Sequence, residues 1–89
     1  FRASAVDLFR YSAVHRLAHR VHYDRRYATE VEGYPDLLVH GPLVATHLAA
    51  LAWDCGADRA PRPLAYEIRA RAPLYVDTDA ELRAGAVED

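Results

Sequence analysis

Three histidines lie close together near the start of the chain, at positions His15, His19 and His22. Histidine exchanges protons near neutral pH and also binds transition metals as a neutral imidazole. In a helical segment the spacing i, i+4, i+7 would place the three rings on one face. Two chemistries follow: proton transfer by one histidine, or a zinc site. No Cys or Glu joins the cluster in a ligand pattern, so proton transfer is favoured and no metal is expected.

Arginines surround this cluster and add a second possible chemistry. Guanidinium groups match phosphate oxygens well, so these side chains could hold the phosphates of a small molecule. A solvated face paired with nearby carboxylates explains the same pattern equally well. The arginines are Arg16, Arg20, Arg25 and Arg26, and the carboxylates are Asp24, Glu30 and Glu32.

The N-terminal half should hold the histidines between two ordered segments. Val6 to Ala13 has apolar and aromatic residues at strand length and is predicted to be a strand, whereas Val14 to Asp24 has no clean period and is predicted to be a loop with a helical turn. Asp24 suits the N-cap of a short helix, Arg25 to Val31, which Gly33 should end.

The C-terminal half begins with the clearest helix signal. Pro42 suits the first helical position, and residues 43–54 are apolar all round, which predicts a buried helix stopped near Gly56. A proline-marked linker, 60–63, precedes an alternating segment, Leu64 to Ala72, that is predicted to be a half-buried strand. Ala80 to Ala84 could begin one more strand. This order of elements indicates an α+β fold.

Composition narrows the class of protein. A chain of 89 residues with 52% apolar content predicts a single globular domain over residues 1–89, small enough to favour oligomerisation. The net charge of -2 argues against nucleic acid as a partner. A lone cysteine, Cys55, excludes an intrachain disulfide and favours the cytoplasm, and no apolar run reaches the roughly eighteen residues of a membrane span. The chain does not begin with Met, so we expect it to be part of a longer protein.

The motifs around the histidines resemble those of the MaoC-like hydratase and dehydratase family, and most closely its type-2 hydroxyacyl-thioester dehydratases, which include mesaconyl-CoA-type hydratases. The resemblance covers roughly residues 8–51. It is carried by Tyr11-Ser12-Ala13, His19-Arg20-Val21-His22-Tyr23-Asp24, Gly33-Tyr34-Pro35 and Leu38-Val39-His40-Gly41-Pro42-Leu43.

This resemblance implies a hot-dog fold, an antiparallel sheet wrapped around one long helix, here incomplete at its C-terminus. It also implies assembly as a homodimer or heteromer. The implied activity is that of a hydro-lyase of fatty acid metabolism, which hydrates trans-2-enoyl thioesters or dehydrates (R)-3-hydroxyacyl thioesters. The acyl group is carried by coenzyme A or acyl carrier protein, without a redox cofactor or a metal.

The resemblance also assigns roles to individual residues. His22 matches the catalytic histidine, and Gly41 matches the glycine whose backbone N–H faces the thioester carbonyl. A helix N-terminus stabilises negative charge on such an oxygen, which agrees with the assignment. Four neighbours are predicted to bind substrate: His19, Arg20, Tyr23 and His40. Without the motif, a structural histidine bonded to Asp24 or the backbone would be the favoured explanation of His22.

Two further predictions concern positions near these residues. His40 should orient the loop before the helix through hydrogen bonds, and His47 should be buried or at an interface. The family has Asp or Asn five residues before its histidine, where this chain has Leu17. A leucine can neither hold nor activate water. The alternatives are therefore an altered catalytic arrangement, with His15 or His19 compensating, or an inactive subunit that binds acyl thioester or completes a heteromer.

Overall fold

A computed structural model describes residues 1–56 and 67–84. Its two α-helices are α1, Ala5–Val14, and α2, Gly41–Gly56. A short 3-10 helix, Arg20–His22, and a π-helical turn, Tyr27–Val31, lie between them. None of the helices in these ranges combines the length and apolarity needed to cross a membrane.

The prediction of a strand over Val6 to Ala13 was wrong, because this segment is α1. Ser4 caps the helix: its hydroxyl accepts from the Asp7 N–H at 3.2 Å, and the Asp7 carboxylate accepts from the Ser4 N–H at 2.9 Å. This reciprocal capping box is a strong local helix start. Leu8 and Ser12, four residues apart, are the two buried residues of α1 and share one face, as helical geometry requires.

The second short helix confirms its sequence signals. The Asp24 carboxylate accepts from the Tyr27 N–H at 3.1 Å, as an N-cap does. Arg25 and Arg26 are α-helical, and the turn then widens into the π-helical stretch. Gly33, which follows, has φ of +78°, a conformation that glycine adopts at little cost.

The core lies between α1, the segment before α2 and a C-terminal segment. Leu37 and Val39 flank an antiparallel bridge between Leu38 and Tyr75. The Val39 N–H donates to Leu74 O at 2.8 Å, and the Val76 N–H donates to Leu37 O at 3.0 Å. The buried apolar residues are Ala3, Leu8, Val21, Ala28, Leu37, Val39 and Val76.

The antiparallel sheet of a hot-dog fold is not shown. Within residues 1–56 and 67–84 the pairing is limited to the isolated bridge, and no strand is assigned. Of the strand predicted over Leu64 to Ala72, residues 64–66 and the linker 60–63 lie outside the described residues. Residues 67–72 and 80–84 have no regular structure, so the strands predicted there are not observed. The long helix expected at the centre of the fold is present as α2.

Helix α2 differs from its prediction in environment. It begins at Gly41, one residue before Pro42, and extends to Gly56. None of residues 41–54 is buried, and Trp53 remains 44% exposed, so the prediction of a buried helix was wrong for the described part of the chain. Apolar residues on all sides of a helix indicate that it suits a buried environment. They do not show that the described residues of this chain bury it.

Candidate active site

The 3-10 helix holds His22 against the segment that leads into α2. Its middle residue, Val21, is buried in the core. The Leu38 N–H donates to Val21 O at 3.0 Å, and His22 Nδ1 donates to Leu38 O at 2.8 Å. Two hydrogen bonds to the same residue therefore hold the backbone before His22 and one nitrogen of its imidazole ring.

The bond to Leu38 also decides which ring nitrogen of His22 is basic. A carbonyl oxygen only accepts, so neutral His22 carries its proton on Nδ1 and keeps a lone pair on Nε2. His22 is thus bonded to the backbone rather than to Asp24. The bond that would explain a structural histidine is also the one that prepares Nε2 to accept a proton.

Gly41 stands at the first position of α2. The Val44 N–H donates to His40 O at 3.2 Å, which makes His40 the N-cap of α2. A helix offers no acceptor to its first N–H groups, so the Gly41 N–H has none within α2. A Cβ built on Gly41 would meet no atom within 4 Å. The side-chain direction at Gly41 is therefore open, and the residue itself is exposed.

His22 and Gly41 line the same cavity, of about 600 Å³. Leu38 and Val44 contribute apolar walls, and Arg69 and Arg71 contribute charge. A proton-accepting imidazole and a helix N-terminus thus share one largely apolar space. Such a space suits a reaction in which negative charge develops on an oxygen.

His40 lies behind this cavity and is completely buried, with 0% of its surface exposed. Its ring stacks on His22, with centroids 3.9 Å apart and planes 20° from parallel. A hydrogen bond of 2.7 Å joins its Nε2 to Ser12 Oγ. Burial, with smaller contributions from the charges of His22 and His15, lowers the pKa of His40 from 6.5 to about 4. His40 is therefore neutral at pH 7, and the hydrogen bonding predicted for it is observed.

The other predicted substrate-binding residues stand around His22 without lining its cavity. The His19 ring meets the His22 ring edge-on, with centroids 5.8 Å apart. Arg20 pairs with Asp24 at 2.9 Å, and the exposed Tyr23 donates its hydroxyl proton to Ala18 O at 3.0 Å. Substrate contact by His19, Arg20, Tyr23 and His40 stays a prediction.

The remaining histidines, His15 and His47, lie at a different cleft from His22. The His15 ring packs on Tyr11, with centroids 4.2 Å apart, and His47 packs on Phe1 at 4.6 Å. Both line a separate cleft, and His47 is exposed rather than buried. In residues 1–56 and 67–84, no three His, Cys, Asp or Glu side chains are grouped to hold a metal ion, so this part of the chain gives the zinc alternative no support.

Leu17 faces a different space from His22. It lines a cleft of about 410 Å³ together with Phe9, Ser12 and Tyr23. The cavity of His22 and Gly41 does not include it. Of the two histidines expected to compensate for Leu17, His19 contacts the His22 ring, whereas His15 lies against Tyr11.

Three of the four arginines near the histidines form surface ion pairs. Arg25 meets Asp36 at 2.7 Å and Arg26 meets Glu30 at 2.8 Å, in addition to the pair made by Arg20. The guanidinium of Arg20 also covers the Tyr27 ring, 4.3 Å from its centroid. Of the two explanations for these arginines, the paired and solvated face describes what is observed.

Ser12 is the residue that sequence reasoning missed. It belongs to the Tyr11-Ser12-Ala13 motif, but a segment interpreted as a strand gave no reason to place it beside His40. The available signal was the capping box at Ser4 and Asp7, which predicts a helix with Leu8 and Ser12 on the inner face.

Comparison with known proteins shows the family of this chain. Residues 1–76 match the family described as hydroxyacyl-thioester dehydratase type 2. The chain belongs to this family, whose members are hydratases and dehydratases of thioesters, and the resemblance drawn from the motifs is confirmed.

Two relatives show how far the similarity extends. The mesaconyl-C(4)-CoA hydratase of Chloroflexus aurantiacus is 51% identical over 69 residues, covering 76% of this chain and 23% of the relative. The mitochondrial hydroxyacyl-thioester dehydratase type 2 of Schizosaccharomyces pombe is 31% identical over 77 residues, covering 86% of this chain and 26% of the relative. The chain thus spans about a quarter of the length of these curated relatives.

Proposed function

We propose that the protein hydrates trans-2-enoyl thioesters, or dehydrates (R)-3-hydroxyacyl thioesters in the reverse direction. The observation that carries this proposal is the shared cavity of His22 and Gly41, with the His22 proton held on Nδ1 by Leu38. One relative is named for mesaconyl-C(4)-CoA, which makes an acyl-CoA the preferred carrier form, with acyl carrier protein as the alternative.

In the proposed hydration, His22 Nε2 accepts a proton from water while the water oxygen bonds to C3 of the enoyl group. The electron pair of the C2–C3 double bond moves toward the thioester carbonyl, and the Gly41 N–H stabilises the resulting oxyanion. His22 then returns the proton to C2. Water is added without any redox change, so the reaction requires no redox cofactor. We expect no metal because His22 and Gly41 supply the proton transfer and the charge stabilisation.

The proposal extends to the setting of the reaction. Residues 1–89 form one hot-dog unit, which pairs with a second unit as a homodimer or heteromer in the cytoplasm. The missing part of the sheet is supplied by a longer parent chain or by that second unit.

The test is hydration of crotonyl-CoA by the purified protein and by His22→Ala. General acid–base catalysis contributes about 10²–10⁴-fold, so kcat/KM should fall by roughly a thousandfold. His47→Ala is the matched control, since it removes an exposed imidazole that lines a separate cleft, and it should lose far less. Equal rates for the protein and His22→Ala, or no rate from either at high enzyme concentration, would rule out this mechanism.

Leu17 favours a second candidate, a catalytically inactive subunit that binds acyl thioester or completes a heteromer. Leu17→Asn distinguishes the two. A rise in crotonyl-CoA turnover would identify a lost catalytic partner. A measurable and unchanged rate, which we expect because Leu17 lies outside the cavity, would indicate that the site works with His22 alone or with His19.

A further inference from the structure

His40 connects the two halves of the candidate site. Its backbone lies directly before Gly41 and caps α2, while its ring stacks on His22 with centroids 3.9 Å apart. A displacement of His40 would therefore move both the imidazole and the amide that the proposed reaction uses. The family resemblance assigns no residue the role of holding His22 and the Gly41 amide in place.

The orientation of the His40 ring depends on one hydrogen bond. The torsion between an imidazole and its Cβ is intrinsically broad and roughly two-fold, so a hydrogen bond to one ring nitrogen selects among the orientations that burial allows. Tyr11 also packs on the ring, at 4.7 Å with planes 55° apart. Nδ1 has no hydrogen-bond partner among the described residues, whereas Nε2 is joined to Ser12 Oγ.

The stack is compatible with proton transfer because His40 stays uncharged. His22, Tyr11, Ser12 and the more distant His15 are the groups that face or influence it. None of them is an acid that would favour a charged His40, and its burial lowers its pKa to about 4. His22 can then take up a proton without an adjacent positive charge.

We propose that Ser12 is a positioning residue, whose hydroxyl holds the His40 ring beneath His22 and thereby fixes the angle of the His22 ring relative to the Gly41 amide. This inference rests on the proposed function for its effect on rate. Its effect on the His22 ring can be observed without substrate.

The experiment compares Ser12→Ala with Ser4→Ala. Both remove a serine hydroxyl from the same helix, but Ser4 serves only the capping box. The first readout is the imidazole nitrogen NMR spectrum of His22, which reports its tautomer. The second is kcat and KM for crotonyl-CoA between pH 5 and 9. Ser12→Cys nearly preserves side-chain volume with a weaker hydrogen-bonding group and replaces Ser12→Ala if that variant does not fold.

We expect Ser12→Ala to alter the His22 nitrogen signals and to lower kcat by roughly tenfold, the rate equivalent of one lost hydrogen bond, with KM within about twofold. The pH profile of kcat should shift, and Ser4→Ala should change none of these. His22 signals and kcat values that are the same in both variants would overturn the inference. Altered His22 signals in a protein without hydratase activity would support the positioning role and reject the proposed function.

Discussion

His22 and Gly41 line one cavity, yet the two sides of that cavity are built differently. The His22 side is anchored by hydrogen bonds to Leu38 and by the buried ring of His40. The Gly41 side belongs to α2, in which no residue from 41 to 54 is buried. The chain thus anchors His22, the proposed proton-transferring group, and leaves Gly41, whose amide is proposed to bind the oxyanion, at an exposed helix end. Stability should depend on the first side and access of substrate on the second.

Truncating one leucine on each side gives the largest expected contrast. Leu8 is completely buried in the core, so Leu8→Ala should lower the free energy of unfolding by about 3 kcal/mol. Leu48 of α2 is only half-buried, and Leu48→Ala should cost under about 1 kcal/mol. Urea denaturation of both variants measures the two values. Equal losses of unfolding free energy would show that the two sides contribute equally to stability.

The buried histidine makes the first side sensitive to pH. The pKa of His40 is about 4 in the folded state and about 6.5 when unfolded. Between these pH values His40 is protonated in the unfolded chain but neutral in the folded chain. The free energy of unfolding therefore falls as the pH falls. We expect His40 to account for a loss of roughly 3 kcal/mol between pH 7 and pH 4.

His40→Phe is the variant that checks this pH dependence. It keeps an aromatic ring in the stack and removes the titration, so urea denaturation from pH 7 to pH 4 should show a shallower decline than in the unchanged protein. His47→Phe, at an exposed position, is the control and should leave the decline as it is. Identical slopes in the protein and His40→Phe would contradict a depressed pKa.

A small side chain at Gly41 should leave the stability of the protein unchanged but lower its activity. A Cβ on Gly41 meets nothing within 4 Å, so Gly41→Ala should fold with an unchanged or slightly higher Tm. The added methyl group would still narrow the cavity that Gly41 lines, beside the amide proposed to bind the thioester oxygen. We expect kcat/KM for crotonyl-CoA to fall roughly tenfold, about 1.4 kcal/mol of transition-state stabilisation. Full activity in Gly41→Ala would remove this amide from the proposed mechanism.

Local signals in the sequence correctly predicted the caps and turns that depend on residues close together in the sequence. Asp24 caps a helical turn as expected, Gly33 adopts a positive φ, and Pro42 lies in the first turn of α2. The same kind of signal was present at Ser4 and Asp7, but apolar residues at strand length were given more weight than the capping box. The wrong prediction for α1 therefore came from choosing between two local signals.

The sequence by itself determined the family, because His22 and Gly41 lie within spaced motifs that carry the resemblance. Only the tertiary structure decided the basic nitrogen of His22, the separation of Leu17 from the cavity and the partnership of Ser12 with His40. The bond to Leu38 spans 16 positions and the bond between Ser12 and His40 spans 28. No local periodicity encodes contacts over such separations, since they depend on how α1 and the segment before α2 pack against the 3-10 helix.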